Sequence, residues 1–154
     1  MNKVWEKIKG ATLMSSAEFA KQYVTRDLLN LAFGNSDNHG RNISFLKTEG
    51  DIRFAPIYDF APMKADPEMV TRLFKWGRHC ESSGHVNFRK VSSELTSLCP
   101  PQELIEHLQG IAEKLIDIPN ILSELECPIE IIEFPAIGFN NIESKLTAMG
   151  VLDG

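Results

Sequence analysis

Five side chains in two neighbouring segments of the sequence could do chemistry. The first segment, GNSDNHGRNISF (residues 34–45), and the second, APIYDFAP (residues 55–62), together carry Asp37, His39, Arg41, Asn42 and Asp59. An aspartate can act as a general base. Carboxylate and amide oxygens are ligands that Mg²⁺ accepts alongside phosphates and water. Two carboxylates, one amide and nearby cations therefore suit a site for a hard, oxygen-binding ion, Mg²⁺ above all.

The elements around these residues must bring the two segments together. A Ser15-x-x-Glu18 capping box predicts the start of an amphipathic helix that ends near Phe33, with Gly34 just beyond. Alternating residues over 43–47 and 52–55 flank a turn with Gly50, which predicts a β-hairpin. Paired strands lie only about 5 Å apart. The hairpin should therefore make Asn42 and Asp59 neighbours, with Asp37 beside both.

The rest of the chain is predicted to be mostly helical. The polar stretch RHCESSGH (residues 78–85) is predicted to be a loop. The fold class predicted is mainly α with one small β-hairpin, in a single domain over residues 1–154. Helices are expected over residues 66–76, 88–98, 102–117, 119–125 and 137–149.

Composition excludes several classes of protein. The chain of 154 residues is 43% hydrophobic and 24% charged, and no apolar run approaches the roughly 20 residues that span a bilayer. Three scattered cysteines and the lack of a signal-like amino terminus predict a cytoplasmic protein with free thiols. The net charge of the ionisable side chains is +3 over residues 1–100 and −8 over residues 101–154. A strongly basic nucleic-acid stripe is therefore absent.

The order of the candidate residues is that of the protein-kinase catalytic signature. In that signature an aspartate base precedes an asparagine, and a metal-binding aspartate follows. The two quoted segments resemble more specifically the catalytic loop and metal-binding motif of the HipA-like kinases, the toxins of bacterial toxin–antitoxin modules. The resemblance covers about residues 19–62, and beyond them only the helical character agrees.

The resemblance implies a role for each candidate residue. Asp37 is the expected catalytic base, and Asn42 and Asp59 are the expected ligands of Mg²⁺ that holds ATP. His39 is expected to order the loop or act on the transition state. Arg41 stands where the family usually has lysine, which keeps the charge but changes its shape.

The resemblance also implies a fold, an activity and partners. The chain is expected to be the helical carboxyl-terminal lobe of a serine/threonine kinase, without the amino-terminal lobe that clamps the nucleotide, and so inactive by itself. The implied substrate is a protein hydroxyl. The implied partner is a helix-turn-helix antitoxin through which any DNA contact is made, and no membrane is involved.

Two other functions remain compatible with the sequence. The chain could be a non-catalytic module, derived from such a lobe, that binds a partner. It could also be a metal-dependent hydrolase with Asp37, His39 and Asp59 as ligands, in which case Zn²⁺ or Mn²⁺ would be preferred over Mg²⁺.

Overall fold

The computed structural model describes residues 1–39, 42–68 and 71–153. Four short strands form two separate antiparallel hairpins: β1 (Phe45–Thr48) with β2 (Asp51–Phe54), and β3 (Glu81–Ser82) with β4 (His85–Val86). Two 3-10 helices cover Met63–Ala65 and Phe139–Asn141. The α-helices of the described chain are α1 (Asn2–Ile8), α2 (Ser16–Ala32), α3 (Phe88–Glu94), α4 (Pro101–Leu115), α5 (Ile118–Glu124), α6 (Ile129–Ile132) and α7 (Ile142–Ala148).

Helix α2 leads directly into the candidate catalytic loop. It begins with the predicted capping box: Ser15 Oγ accepts from the Glu18 backbone N–H at 3.1 Å, and Glu18 Oε2 accepts from the Ser15 N–H at 2.9 Å. The helix packs chiefly on α4. The buried residues of its apolar face are Phe19, Ala20, Val24, Leu28 and Ala32. The prediction of this helix is confirmed, because local capping and burial specify the same element.

Gly34 fixes the point at which the chain leaves α2. Its φ of +69° lies in the left-handed region that favours glycine. A Cβ at this position would also lie 3.2 Å from Ile137 Cγ1. The glycine is therefore required both by the turn and by the close approach of the Ile137 side chain.

The β1–β2 hairpin has the predicted position. Phe45 pairs with Phe54 and Thr48 with Asp51, around a turn in which Gly50 has a φ of +79°. The Phe54 ring lies 4.7 Å from that of Phe45 and 5.3 Å from that of Phe19 on α2, measured between centroids. These aromatic contacts fix the hairpin against the helix that precedes the loop.

Three sequence predictions outside the site are corrected. The helix predicted over 66–76 is wrong: residues 71–77 have no regular structure, only Met63–Ala65 is helical nearby, and residues 69 and 70 lie outside the described part. The loop predicted over 78–85 contains most of the second hairpin. The carboxyl-terminal helix is confined to α7, because Gly138, with a φ of +79°, precedes a 3-10 turn.

Buried side chains from α1, α2, β2, α3, α4 and α7 form one hydrophobic cluster. The described residues therefore form a mainly α fold with two small hairpins, one hairpin more than predicted. The mainly α class is confirmed, and the kinase-like character of the lobe stays a prediction. None of the described helices is long and apolar enough to cross a lipid bilayer. The single-domain organisation of residues 1–154 stays a prediction.

Candidate functional site

The loop after α2 is anchored by buried asparagines. Asn35 donates its backbone N–H to Asn30 O and its Nδ2 to Asn30 Oδ1, both at 2.8 Å. Asn38 Nδ2 donates to Asp27 Oδ1 at 3.0 Å in the protein interior. Both Asn35 and Asn38 are only 4% exposed. Two side-chain hydrogen bonds, one on each side of Asp37, therefore attach the loop to helix α2.

Asp37 and His39 lie at the surface of this anchored loop. Asp37 Oδ1 is 3.9 Å from His39 Nε2, too long for a hydrogen bond but close enough for an ion pair when the imidazole is protonated. The Asp37 carboxylate accepts no hydrogen bond from any described residue, so it does not cap the turn. An accessible, uncommitted carboxylate can still accept a proton from a substrate.

Asn42 closes the loop through its amide nitrogen. Its Nδ2 donates to the Asp37 backbone carbonyl at 2.8 Å, and its backbone N–H donates to His39 O at 2.9 Å. The bond from Nδ2 fixes the orientation of the amide, and the Oδ1 atom has no hydrogen-bond partner among the described residues. Arg41, predicted to be catalytic, lies outside the described residues.

Asp59 adopts an uncommon backbone conformation. Its φ is +53°, a left-handed value that a non-glycine residue takes at some cost, although aspartate tolerates it better than most. Its side chain is exposed and has no partner among the described residues. Strain of this kind concentrates at functional sites, and no described residue forms a hydrogen bond or ion pair with this carboxylate.

The hairpin brings the residues around Asn42 and Asp59 together. The Ala55 N–H donates to Ser44 O at 2.9 Å, and the Ser44 and Tyr58 hydroxyls share a hydrogen bond of 2.6 Å. A cavity of about 10 Å³ is lined by Asn42 and by both residues that flank Asp59, Tyr58 and Phe60. Its volume suits about one water molecule.

The oxygen atoms of Asn42 and Asp59 fit Mg²⁺ better than zinc. Mg²⁺ takes amide and carboxylate oxygens and fills its other positions with water or phosphate, and both of these side chains offer an oxygen that no described residue uses. Across residues 1–39, 42–68 and 71–153, no three His, Cys, Asp or Glu side chains converge as a metal site. The convergence of Asp37, His39 and Asp59 required of a hydrolase is therefore not found there.

Comparison with known protein families covers the segments that carry the candidate site. A family model described as the HipA-like C-terminal domain matches residues 2–117, from α1 to just beyond α4. The chain belongs to the HipA-like C-terminal domain family. No curated protein and no solved structure matches the chain significantly. The match includes the candidate catalytic loop, both hairpins and the segment between them.

A buried polar network in this HipA-like domain was not predicted from the sequence. Asp27 on α2 is 3% exposed and accepts from Asn38, from Arg72 Nη2 at 3.0 and 3.1 Å, and from Trp76 Nε1 at 2.7 Å. Glu81 Oε2 accepts from the Trp76 backbone N–H at 2.9 Å. The network thus joins the loop after α2 to residues 72–76 and to the second hairpin. One sequence signal was present: Asp27 interrupts the apolar face of an amphipathic helix.

The electrostatics of Asp27 reflect its burial. Burial raises the pKa of the Asp27 carboxyl above its ordinary value, and the charge of Arg72 and the hydrogen bond from Trp76 act against that shift. Carboxylate and guanidinium therefore depend on each other, because either one left alone in the interior would be a buried unpaired charge.

Replacing Asp27 by asparagine is expected to lower the free energy of unfolding by about 3 kcal/mol, within the range for breaking a buried ion pair. The substitution preserves volume but removes the charge opposite Arg72 and one acceptor oxygen. Urea denaturation measures the change. The matched control is Glu103→Gln, which removes the exposed ion pair with Lys21 and should cost less than about 1 kcal/mol. Equal losses in the two variants would contradict a structural role of the network.

Lys145, on α7, contacts the carboxyl end of α2. Its Nζ donates to Ala32 O at 3.1 Å and to Ile137 O at 2.6 Å. Burial lowers the pKa of Lys145 to about 8, and the nearby charge of Lys64 adds to the shift. A cation at a helix carboxyl terminus also complements the helix dipole. The lysine therefore fixes the helix end that leads into the candidate catalytic loop.

Proposed function

We propose that this chain supplies the base and the metal ligands of a HipA-like serine/threonine protein kinase, the toxin of a toxin–antitoxin pair. The reaction proposed is the Mg²⁺-dependent transfer of the γ-phosphoryl group of ATP to a protein hydroxyl. Family membership supports the proposal. The observation that carries it is the pair of uncommitted oxygens, Asn42 Oδ1 and the Asp59 carboxylate, at the same end of the β1–β2 hairpin.

Each residue has a proposed role in that transfer. Asn42 and Asp59 hold Mg²⁺, which when bound neutralises charge on the phosphates. Asp37 takes the proton of the acceptor hydroxyl. At the same time the hydroxyl oxygen bonds to the γ-phosphorus and ADP leaves. His39, 3.9 Å from Asp37 Oδ1, orients that carboxylate. Arg41 is proposed to contribute a cation at the same loop.

The proposed partners are inferred from membership of the HipA-like family. They are not inferred from a binding surface on this chain. A helix-turn-helix antitoxin is proposed to bind this kinase and to make the DNA contact. The balance of −8 over residues 101–154 is consistent with that division, because an acidic surface does not bind the phosphate backbone. A cytoplasmic location is part of the proposal.

Asn42→Ala in the native protein is expected to raise the Mg²⁺ concentration needed for half-maximal nucleotide binding by about 10-fold, because it removes one neutral metal ligand. Fluorescence titration of Mg²⁺ at fixed nucleotide measures this shift. The control is Ser44→Ala, which removes a neighbouring hydroxyl that bonds Tyr58 but no proposed ligand.

An unchanged Mg²⁺ dependence for Asn42→Ala would overturn the metal assignment of this residue. Binding of the antitoxin without any Mg²⁺-dependent nucleotide binding by the native protein would instead support the non-catalytic module.

A further inference from the structure

We propose that a second cavity, lined in part by the candidate catalytic loop, binds a small organic oxyanion. The cavity has a volume of about 550 Å³, which lies in the range of small-molecule sites. Three parts of the chain line it: the end of α2 with the first loop residues, Lys64 with residues 71–76, and the second hairpin with the preceding Arg78. Neither Asp37, Asn42 nor Asp59 lines this cavity. It adjoins the small cavity beside Asn42, because Asn30 and Asn35 line both.

The charge of the lining favours an anion. Cations come from two of the segments, and a single acid, Glu81, lies among the lining residues. Glu81 is already engaged, since its Oε2 accepts from the Trp76 N–H at 2.9 Å and lies 3.7 Å from Arg72 Nη2. The lining therefore carries a surplus of positive charge. Its cationic side chains are Lys64, Arg72, Lys75 and Arg78.

Buried donors without partners point to the same ligand chemistry. Ser36 is 6% exposed, and its Oγ has no hydrogen-bond partner among the described residues. The Nε and Nη1 atoms of Arg72 likewise have none there. Buried polar atoms are almost always paired. A hydroxyl and a guanidinium are both donors, and an oxyanion accepts from both. An oxyanion bound in the cavity that Ser36 and Arg72 line would offer acceptor oxygens to these donors.

The cavity also has an apolar side. Leu31 of α2 and the Trp76 indole are part of its lining. Trp76 is held in place by its bond to Asp27 and by an edge contact with Phe74, with ring centroids 5.4 Å apart. The ligand class is therefore a metabolite-sized organic phosphate or polycarboxylate, with its charged group on the basic side chains and its apolar part against Leu31 and Trp76.

Calorimetry on the native protein, without Mg²⁺ and at low salt, tests the proposal with two probes, pyrophosphate and citrate. Wild-type protein is expected to bind at least one of them saturably with a one-to-one stoichiometry. Stronger binding of pyrophosphate would identify a phosphate ligand, and stronger binding of citrate a carboxylate ligand. Lys75→Gln combined with Arg78→Gln should weaken binding about 10-fold or more; both side chains are exposed, so the fold is retained.

Three further variants make the test specific. Ser36→Ala should weaken binding without changing net charge. Lys47→Gln combined with Arg53→Gln removes two exposed cations from the first hairpin, outside the cavity, and should leave binding unchanged. Asp59→Asn should also leave binding unchanged, and its failure to do so would move the anion to the proposed metal site. Absence of saturable binding at millimolar concentrations, or equal weakening in the Lys47/Arg53 control, would overturn the proposal.

Discussion

Replacing Asp37 by asparagine in the native protein is expected to lower the rate of phosphoryl transfer by about 10²–10⁴-fold, the contribution of a general base. Nucleotide affinity should stay near the wild-type value, because the base acts on the acceptor hydroxyl and not on the nucleotide. Asparagine has the same shape as aspartate, and the Asp37 carboxylate accepts no hydrogen bond from described residues. The fold should therefore be preserved.

A phosphoryl-transfer assay under single-turnover conditions, together with nucleotide titration, separates the two effects for Asp37→Asn. Glu49→Gln, which neutralises an exposed acid at the far turn of the β1–β2 hairpin, is the control and should transfer at the wild-type rate. A fully active Asp37→Asn variant would assign the base to another residue.

Asp59→Asn is expected to weaken Mg²⁺-dependent nucleotide binding about 100-fold, because it removes a negative charge facing the ion. This loss should exceed the one expected for Asn42→Ala, which removes a neutral ligand. Asparagine tolerates a left-handed backbone as well as aspartate does, so the φ of +53° at this position is not a reason for the variant to misfold. The substitution thus tests the charge alone.

Nucleotide affinity measured with and without Mg²⁺ checks the Asp59 prediction, and the urea midpoint of the variant checks its fold. The expected result is a large loss with Mg²⁺, no loss without it and an unchanged midpoint. Equal losses in the two conditions would contradict the role of Asp59 as a metal ligand.

The segment after Asp59 shows where sequence patterns mislead. Asp66-Pro67-Glu68 has the composition of a helix start, and a helix was predicted through Trp76. Arg72 and Trp76 instead reach the buried Asp27 carboxylate, and residues 71–77 have no regular structure. Partners 45 and 49 residues distant in sequence outweigh a local preference of a few tenths of a kcal/mol per residue.

The local elements around the proposed metal site could be predicted because their causes lie within a few residues. The Ser15–Glu18 capping box, the turn at Gly34 and the hairpin around Gly50 are each specified by neighbours in sequence, and each is present in the structure. The proximity of the segments that carry Asn42 and Asp59 could likewise be predicted, because the hairpin alone brings its two ends together. The roles of Asp37, Asn42 and Asp59 stay predictions.

Tertiary structure alone decided how the loop is held and what lies behind it. Nothing in the sequence pairs Asp27 with Asn38, Arg72 and Trp76, or brings Lys145 to the end of α2, because these contacts depend on where separate helices and an irregular segment pack. The cavity beside Ser36 and Arg78 arises from the same packing of three distant segments. Short-range capping and turn chemistry thus determined the elements, whereas long-range burial of charged groups determined their arrangement.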